Sequence, residues 1–235
     1  MPPTILLSGT INWAQTFTRL QPLTGVGGVD TEPAVTIANT VKQFILAPPF
    51  AWAWNRTTAT FTTTASVQDY SQSLSTYGWL EKAVVSSAAG TYEAEVKMLL
   101  PDAAETGRPV HVAPYLDDGA GNITFRMYPV PDGIYTVKLI FQNAAPMFTA
   151  LSQTWSPLPD KLLYLYSSGF LAHALEQIDD QRFPTQMQLF MRQLVAANAG
   201  LLESEKNIFL SEKLVSARQQ QSELLGVQQG RQARG

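Results

Sequence analysis

Residues 159–180, PDKLLYLYSSGFLAHALEQIDD, constrain this chain more than any other stretch. Pro159 and Asp160 suit the first turn of a helix. Arg182, Phe183 and Pro184 follow where a helix has to stop. Leu162, Tyr166, Phe170 and Ala174 fall on one face at helical spacing, whereas Leu163, Leu165, Leu171 and Leu175 fall on others. A helix apolar nearly all round belongs inside a structure, with neighbours on several sides. At about 20 residues it would run roughly 30 Å. Ser167, Ser168, His173, Glu176 and Gln177 interrupt the apolar run, which argues against a membrane span. Gly169 lowers helix propensity in mid-helix and points to a close approach by a neighbour.

Those neighbours have to come from a chain of 235 residues, long enough for a full core and for two domains. The formal net charge of −3 gives no overall basic footprint for nucleic acid. The absence of cysteine removes disulfides, thiolate catalysis and cysteine-ligated metals together. The first residues, MPPTILLSGT, place no basic residue before a short apolar run, so no signal peptide is expected.

Taken in order, residues 9–23 read as a helix with Trp13, Phe17 and Leu20 on one face. GVGGVD then breaks the chain. Asp30 can cap a second helix, with Pro33 in its first turn and Ala34, Ile37, Ala38, Val41, Phe44 and Ile45 as its apolar face. Pro48 and Pro49 end it. Residues 52–64, WAWNRTTATFTTT, are rich in the aromatic and β-branched residues of strands. Residues 69–77 read as a loop, 80–85 and 92–99 as strands, 101–109 as a loop and 110–114 as a strand. DDGAGN is a turn signal. Residues 123–128 and 134–142 alternate on either side of PVPDG and read as a hairpin. This is a small antiparallel β unit of five to seven strands. A proline-containing connector, 143–159, leads to the buried helix. A further helix follows over about 185–203, with Met187, Phe190, Met191, Leu194, Val195 and Leu201 on its apolar side, and another over 205–214. From Ser216 the chain is polar and Gln-rich.

The expected fold is therefore α+β. N- and C-terminal helices, residues 1–50 and 150–211, form a helical bundle; an antiparallel β domain, 51–149, is inserted between them; 212–235 form an extended C-terminal tail.

Candidate chemistry is sparse. His111 and His173 would need a third ligand near both to hold a metal, and a satisfied core or surface histidine is the commoner role for each. Asp117 with Asp118, and Asp179 with Asp180, are paired carboxylates of the type that bind metal or do acid–base work. Gly119 and Gly121 beside the first pair favour turn residues instead. No nucleophile elbow, Walker A or dinucleotide fingerprint is present, and GVGG at 25–28 lacks the required spacing. No catalytic residue, cofactor or metal is expected. Trp52 and Trp54 would share one side of a strand, either stacking on sugars or bases, or more commonly covering the joint between bundle and β unit. In the tail, Leu214, Val215, Leu224, Leu225 and Val227 are apolar anchors among Lys213, Arg218, Arg231 and Arg234. A solvated terminus and a segment that orders on a partner are both open.

Several blocks together carry a resemblance: APPFAWAWNR at 47–56, FRMYPVPDGIYTVKLIFQ at 125–142 and LSQTWSPLPDKLLYLYSSGFLAHALEQIDDQRF at 151–183. In order and spacing they resemble head-to-tail connector (adaptor) proteins of tailed bacteriophages over most of residues 30–210. The resemblance implies a helical bundle carrying a β insertion, and a structural role without enzymatic activity. It implies a ring, typically of twelve copies, under the portal vertex, extending the DNA channel and offering a platform for tail or neck proteins. It places the protein in the virion neck, assembled in the host cytoplasm, with no membrane. It also implies that the C-terminal segment reaches into the portal protein, through Leu214, Val215, Arg218, Leu224, Leu225, Val227, Arg231 and Arg234. An acidic lumen would let DNA pass without specific binding. The alternatives are a tail terminator or other neck protein binding the tail tube, a carbohydrate-binding β module using Trp52 and Trp54, and a hydrolase using His111 with Asp117 or Asp118.

Overall fold

The computed structural model describes residues 3–18, 33–102 and 105–198, with the side chains of 15–18 outside that description. Among these residues the chain is α+β, with four α-helices and nine strands. They divide into two compact units. One takes residues up to Ile45 and from Ala145 onward; the other is Leu46–Ala144.

The helical unit gathers round α3, Leu163–Gln177. Residues 160–162 tighten into a 3₁₀ turn, so the α-helix is shorter than the sequence pattern suggests. Leu165, Tyr166, Phe170, Leu171, Ala174 and Leu175 are buried, as expected of a helix apolar all round. Gly169 is the point of closest approach. A Cβ there would lie 2.8 Å from Phe190 Cε2 and 2.8 Å from Val41 Cγ1. Val41 belongs to α2, Ala34–Leu46, whose Ala34, Ile37, Ala38 and Ile45 are buried and which stops short of Pro48. Phe190 belongs to α4, Phe183–Ala197, which starts with Pro184 in its first turn. α1, Leu7–Thr18, packs on α3 from another side.

The connector before α3 has no regular structure, yet it is fastened throughout. Trp155, fully buried, stacks on Tyr166 with ring centroids 4.6 Å apart and meets Phe148 edge-on at 5.1 Å. Its Nε1 donates to Thr10 Oγ1 at 2.9 Å. Asn39 donates to Phe148 O at 3.1 Å and accepts from Phe148 N at 2.6 Å. Asp160 accepts from Thr4 N at 3.0 Å and Thr4 Oγ1 at 2.6 Å. The Asn39 pair satisfies both backbone groups of Phe148, which an irregular buried segment would otherwise strand.

In the β unit one seven-stranded sheet runs in the order β1-β9-β3-β4-β6-β7-β2. Its strands are β1 Arg56–Thr62, β2 Asp69–Ser73, β3 Tyr77–Ser87, β4 Gly90–Val96, β6 His111–Asp117, β7 Asn122–Tyr128 and β9 Thr136–Asn143. Two short strands, β5 Thr106–Gly107 and β8 Val130–Pro131, pair apart from it. Alternating residues fill the core: Val85, Val112, Ile123, Phe125, Met127, Val137, Leu139 and Phe141.

Three expectations fail here. The sheet is mixed, not antiparallel. Residues 90–94 of β4 pair with β3, but Glu95 and Val96 pair parallel with β6. The long connection between β4 and β6 lets β6 return in the same direction. Residues 69–77 are not all loop, because 69–73 form edge strand β2 on β7. That strand was hidden because only Tyr70 on it is buried. The expected hairpin of 123–128 with 134–142 is absent: β7 pairs with β6 and β2, while β9 pairs with β1 and β3. Pro129 and Pro131, lacking N–H donors, break the ladder between them. Both strands instead supply side chains to the same core.

Candidate functional site

Neither paired carboxylate is arranged for chemistry. Asp117 accepts from Gly119 N at 2.8 Å, and Asp118 accepts from the backbone of Ala120 at 2.8 Å and of Asn122 at 3.0 Å. These bonds hold the β6–β7 turn, with Gly119 and Gly121 at positive φ. The Asn122 side-chain amide, donating to Asp118 Oδ2 at 2.6 Å, and then the backbone donors of Asn122 and Ala120 lower the Asp118 carboxyl below its ordinary value. Asp180 forms a two-pronged bond with Arg182, at 2.9 and 2.7 Å, between α3 and α4. That bond brings its carboxyl down to about 2.

His111 stacks on Tyr128 in the β unit, its Nδ1 3.3 Å from Glu95 Oε2. His173 lies on α3 in the helical unit, with Nδ1 2.9 Å from Glu176 Oε2. Among the described residues no group of three or more histidine, aspartate or glutamate side chains is placed to hold a metal ion. No helix among them is long and apolar enough to cross a membrane.

Trp52 and Trp54 are not on a strand. They flank the start of a 3₁₀ turn, Ala53–Asn55, with ring centroids 5.6 Å apart. Asn55 is the reason for the turn. Its Nδ2 donates to Asn143 O, and Asn143 Nδ2 donates to Asn55 O, each at 2.9 Å. Trp52 is only 4% exposed, so it cannot present a face to a sugar. The tail residues Leu214, Val215, Arg218, Leu224, Leu225, Val227, Arg231 and Arg234 lie outside the described residues, as do Leu20, Asp30, Leu201 and the expected helix over 205–214.

Two surfaces emerge that residue patterns did not show. On the β unit, Met98 is 95% and Leu99 75% exposed beyond the end of β4, although they had read as strand. The loop carrying them is pinned by buried Leu100, by Gln68 Nε2 donating to Pro101 O at 3.0 Å, and by Asp102, 2.5 Å from Arg126 Nη1. Arg126 is itself buried, bonded twice to Asp69 at 2.8 Å and stacked on Tyr115 at 3.5 Å. A lone arginine in an alternating strand carries no sequence signal of two acidic partners.

On the helical unit, α1 and the start of α3 border an apolar groove of about 570 Å³ lined by Ile5, Trp13, Leu163 and Tyr164. A second hollow of about 260 Å³ shares Trp13, Tyr164 and Ser167 and continues along Leu171, Leu189 and Gln193. Leu163, Tyr164 and Leu189 are 40–47% exposed. The available signal was that α3 is apolar on too many faces for its neighbours to cover.

A family model described as SU10 adaptor protein matches residues 11–213 of the chain. No curated protein matches it.

Proposed function

Because the chain belongs to the SU10 adaptor protein family, a family of phage head–tail adaptors, we propose that it is a structural neck protein forming a ring of twelve copies. The ring joins the portal vertex to the tail and extends the DNA channel. The match over residues 11–213 carries this reading, because it runs through both units and is not confined to one motif. A structural role of this kind involves no catalysis. It needs portal and tail proteins as partners and places the protein in the virion neck.

In this reading the helical unit, as a bundle, and the inserted β domain supply the ring's body and lateral faces. The tail after residue 212 reaches the portal through Leu214, Val215, Leu224, Leu225 and Val227, with Arg218, Arg231 and Arg234 meeting acidic groups there. The net charge of −3 is compatible with a lumen that lets DNA slide.

Electron microscopy of the purified protein, alone and mixed with the portal ring of the same phage, tests it. The expected result is one added ring on one end of the portal, lost when residues 214–235 are deleted. A ring that survives the deletion would move the contact into the folded units. Binding to tail-tube protein without binding to portal would replace the reading with a tail terminator.

A further inference from the structure

Lys42, on α2, is only 2% exposed, yet among the described residues its ammonium forms no salt bridge. A buried charge ordinarily has an opposite charge beside it. Nζ instead donates to Pro146 O at 2.9 Å and lies 3.6 Å from the centroid of the Phe148 ring. An ammonium carries three N–H groups. The carbonyl takes one and the ring face another, which leaves a third donor. Burial lowers the ammonium to about 8, so it stays mostly protonated at neutral pH.

Lys42, Pro146 and Phe148 line a hollow of about 390 Å³ within the helical unit. Its other polar side chains supply donors or hydroxyls. Gln153 Oε1 is taken by Thr149 N at 2.6 Å and Ala150 N at 2.9 Å, which leaves the Gln153 Nε2 group to donate elsewhere. Thr154 and Ser156 add hydroxyls. Among the described residues no acidic side chain lines the hollow. Met147 forms an apolar wall, half-exposed, with Gln43 Nε2 3.3 Å from its Sδ.

We propose that this hollow is a binding site for a single carboxylate, held by the Lys42 ammonium and the Gln153 amide, with the ligand's apolar body against Met147 and Phe148. Charge selects the ligand. One ammonium balances one negative charge, whereas a phosphate dianion would leave its excess charge against apolar walls. Size agrees, because small-ligand sites span about 300–1,000 Å³. The same carboxylate chemistry can come from a free organic acid or from an acidic side chain of a neighbouring copy. The inference does not depend on the portal reading, which concerns residues after 212.

Butyrate is the probe, titrated into the full-length protein at neutral pH and constant ionic strength and followed by ligand-observed nuclear magnetic resonance. Saturable binding is expected. It should be at least about tenfold weaker in Lys42→Met, because a hydrogen bond to a charged group is lost. Butanol and butylamine, matched in size but neutral and cationic, should bind the wild-type protein at least about tenfold more weakly than butyrate. Far-UV circular dichroism checks the fold of Lys42→Met, and the butanol and butylamine comparisons decide the matter where that variant does not fold. Sedimentation in the same buffers separates the two sources. Smaller species on adding butyrate, with no such change in Lys42→Met, would assign the carboxylate to a neighbouring copy. Saturable binding with unchanged sedimentation would assign it to a free acid. Butyrate binding that does not saturate, that butanol or butylamine equals, or that folded Lys42→Met retains in full would overturn the inference.

Discussion

In the β unit the core-facing residues alternate along each strand and are covered by other strands of the same sheet. In the helical unit α3 is buried on most sides, yet α1, α3 and α4 leave Leu163, Tyr164 and Leu189 at the surface. The difference follows from geometry. A strand offers one face to the core and a curled sheet closes over it. A helix apolar all round needs a neighbour on each side, and a few helices leave one side open. The helical unit is thus the one whose own helices border an open apolar groove.

The sharpest way to break that arrangement is at Gly169. Gly169→Val drives a branched side chain into Phe190 and Val41. It is expected to destabilise the helical unit by about 3 kcal/mol. Hydrogen exchange measured by region should show α3 and α4 losing protection while β3 and β9 keep theirs. Equal loss in both units would show that they unfold together and would void the comparison.

A smaller effect is expected from the β unit's buried charge. Arg126→Met leaves Asp69 without its two-pronged partner and releases Asp102. A cost of about 1–3 kcal/mol is expected, because both acids keep some solvent. Urea unfolding measures it, and faster proteolysis at residues 98–102 would show that Arg126 anchors the exposed Met98–Leu99 loop.

The smallest effect separates the units by pH. Lys42 is buried on α2, donating to Pro146 O at 2.9 Å and lying 3.6 Å from the Phe148 ring centroid. Burial lowers its ammonium from the ordinary 10.5 to about 8. The folded state therefore binds fewer protons than the unfolded one between those values. Stability should be level below pH 8 and rise as pH climbs from 8 toward 10.5. The carbonyl and the ring favour the charged form, so the gain by pH 9.5 is about 1 kcal/mol. Chemical unfolding of Lys42→Met should lack the rise. A rise unchanged in that variant would assign it to another group.

Much of the molecule was legible in residue order. The all-round apolar pattern of 159–180 marked α3 as the interior helix, and Gly169 as a contact point. The α+β class followed from the change in periodicity near residue 50. Prolines marked helix ends because they cannot continue a hydrogen-bond ladder. These are local properties, set by spacing and backbone chemistry within a few residues.

Pairing and coverage were decided only in three dimensions. Strands 122–128 and 136–143 alternate well enough to pair with each other, yet each pairs elsewhere. Alternation states which face is buried, not which neighbour lies beside it. Edge strand 69–73 was invisible because its place is held by β7 and by Arg126 bonding to Asp69. Trp52 was buried by a turn that Asn55 and Asn143 create together from 88 positions apart. The groove beside α3 depends on how α1 and α4 pack, and no stretch of sequence carries that information alone.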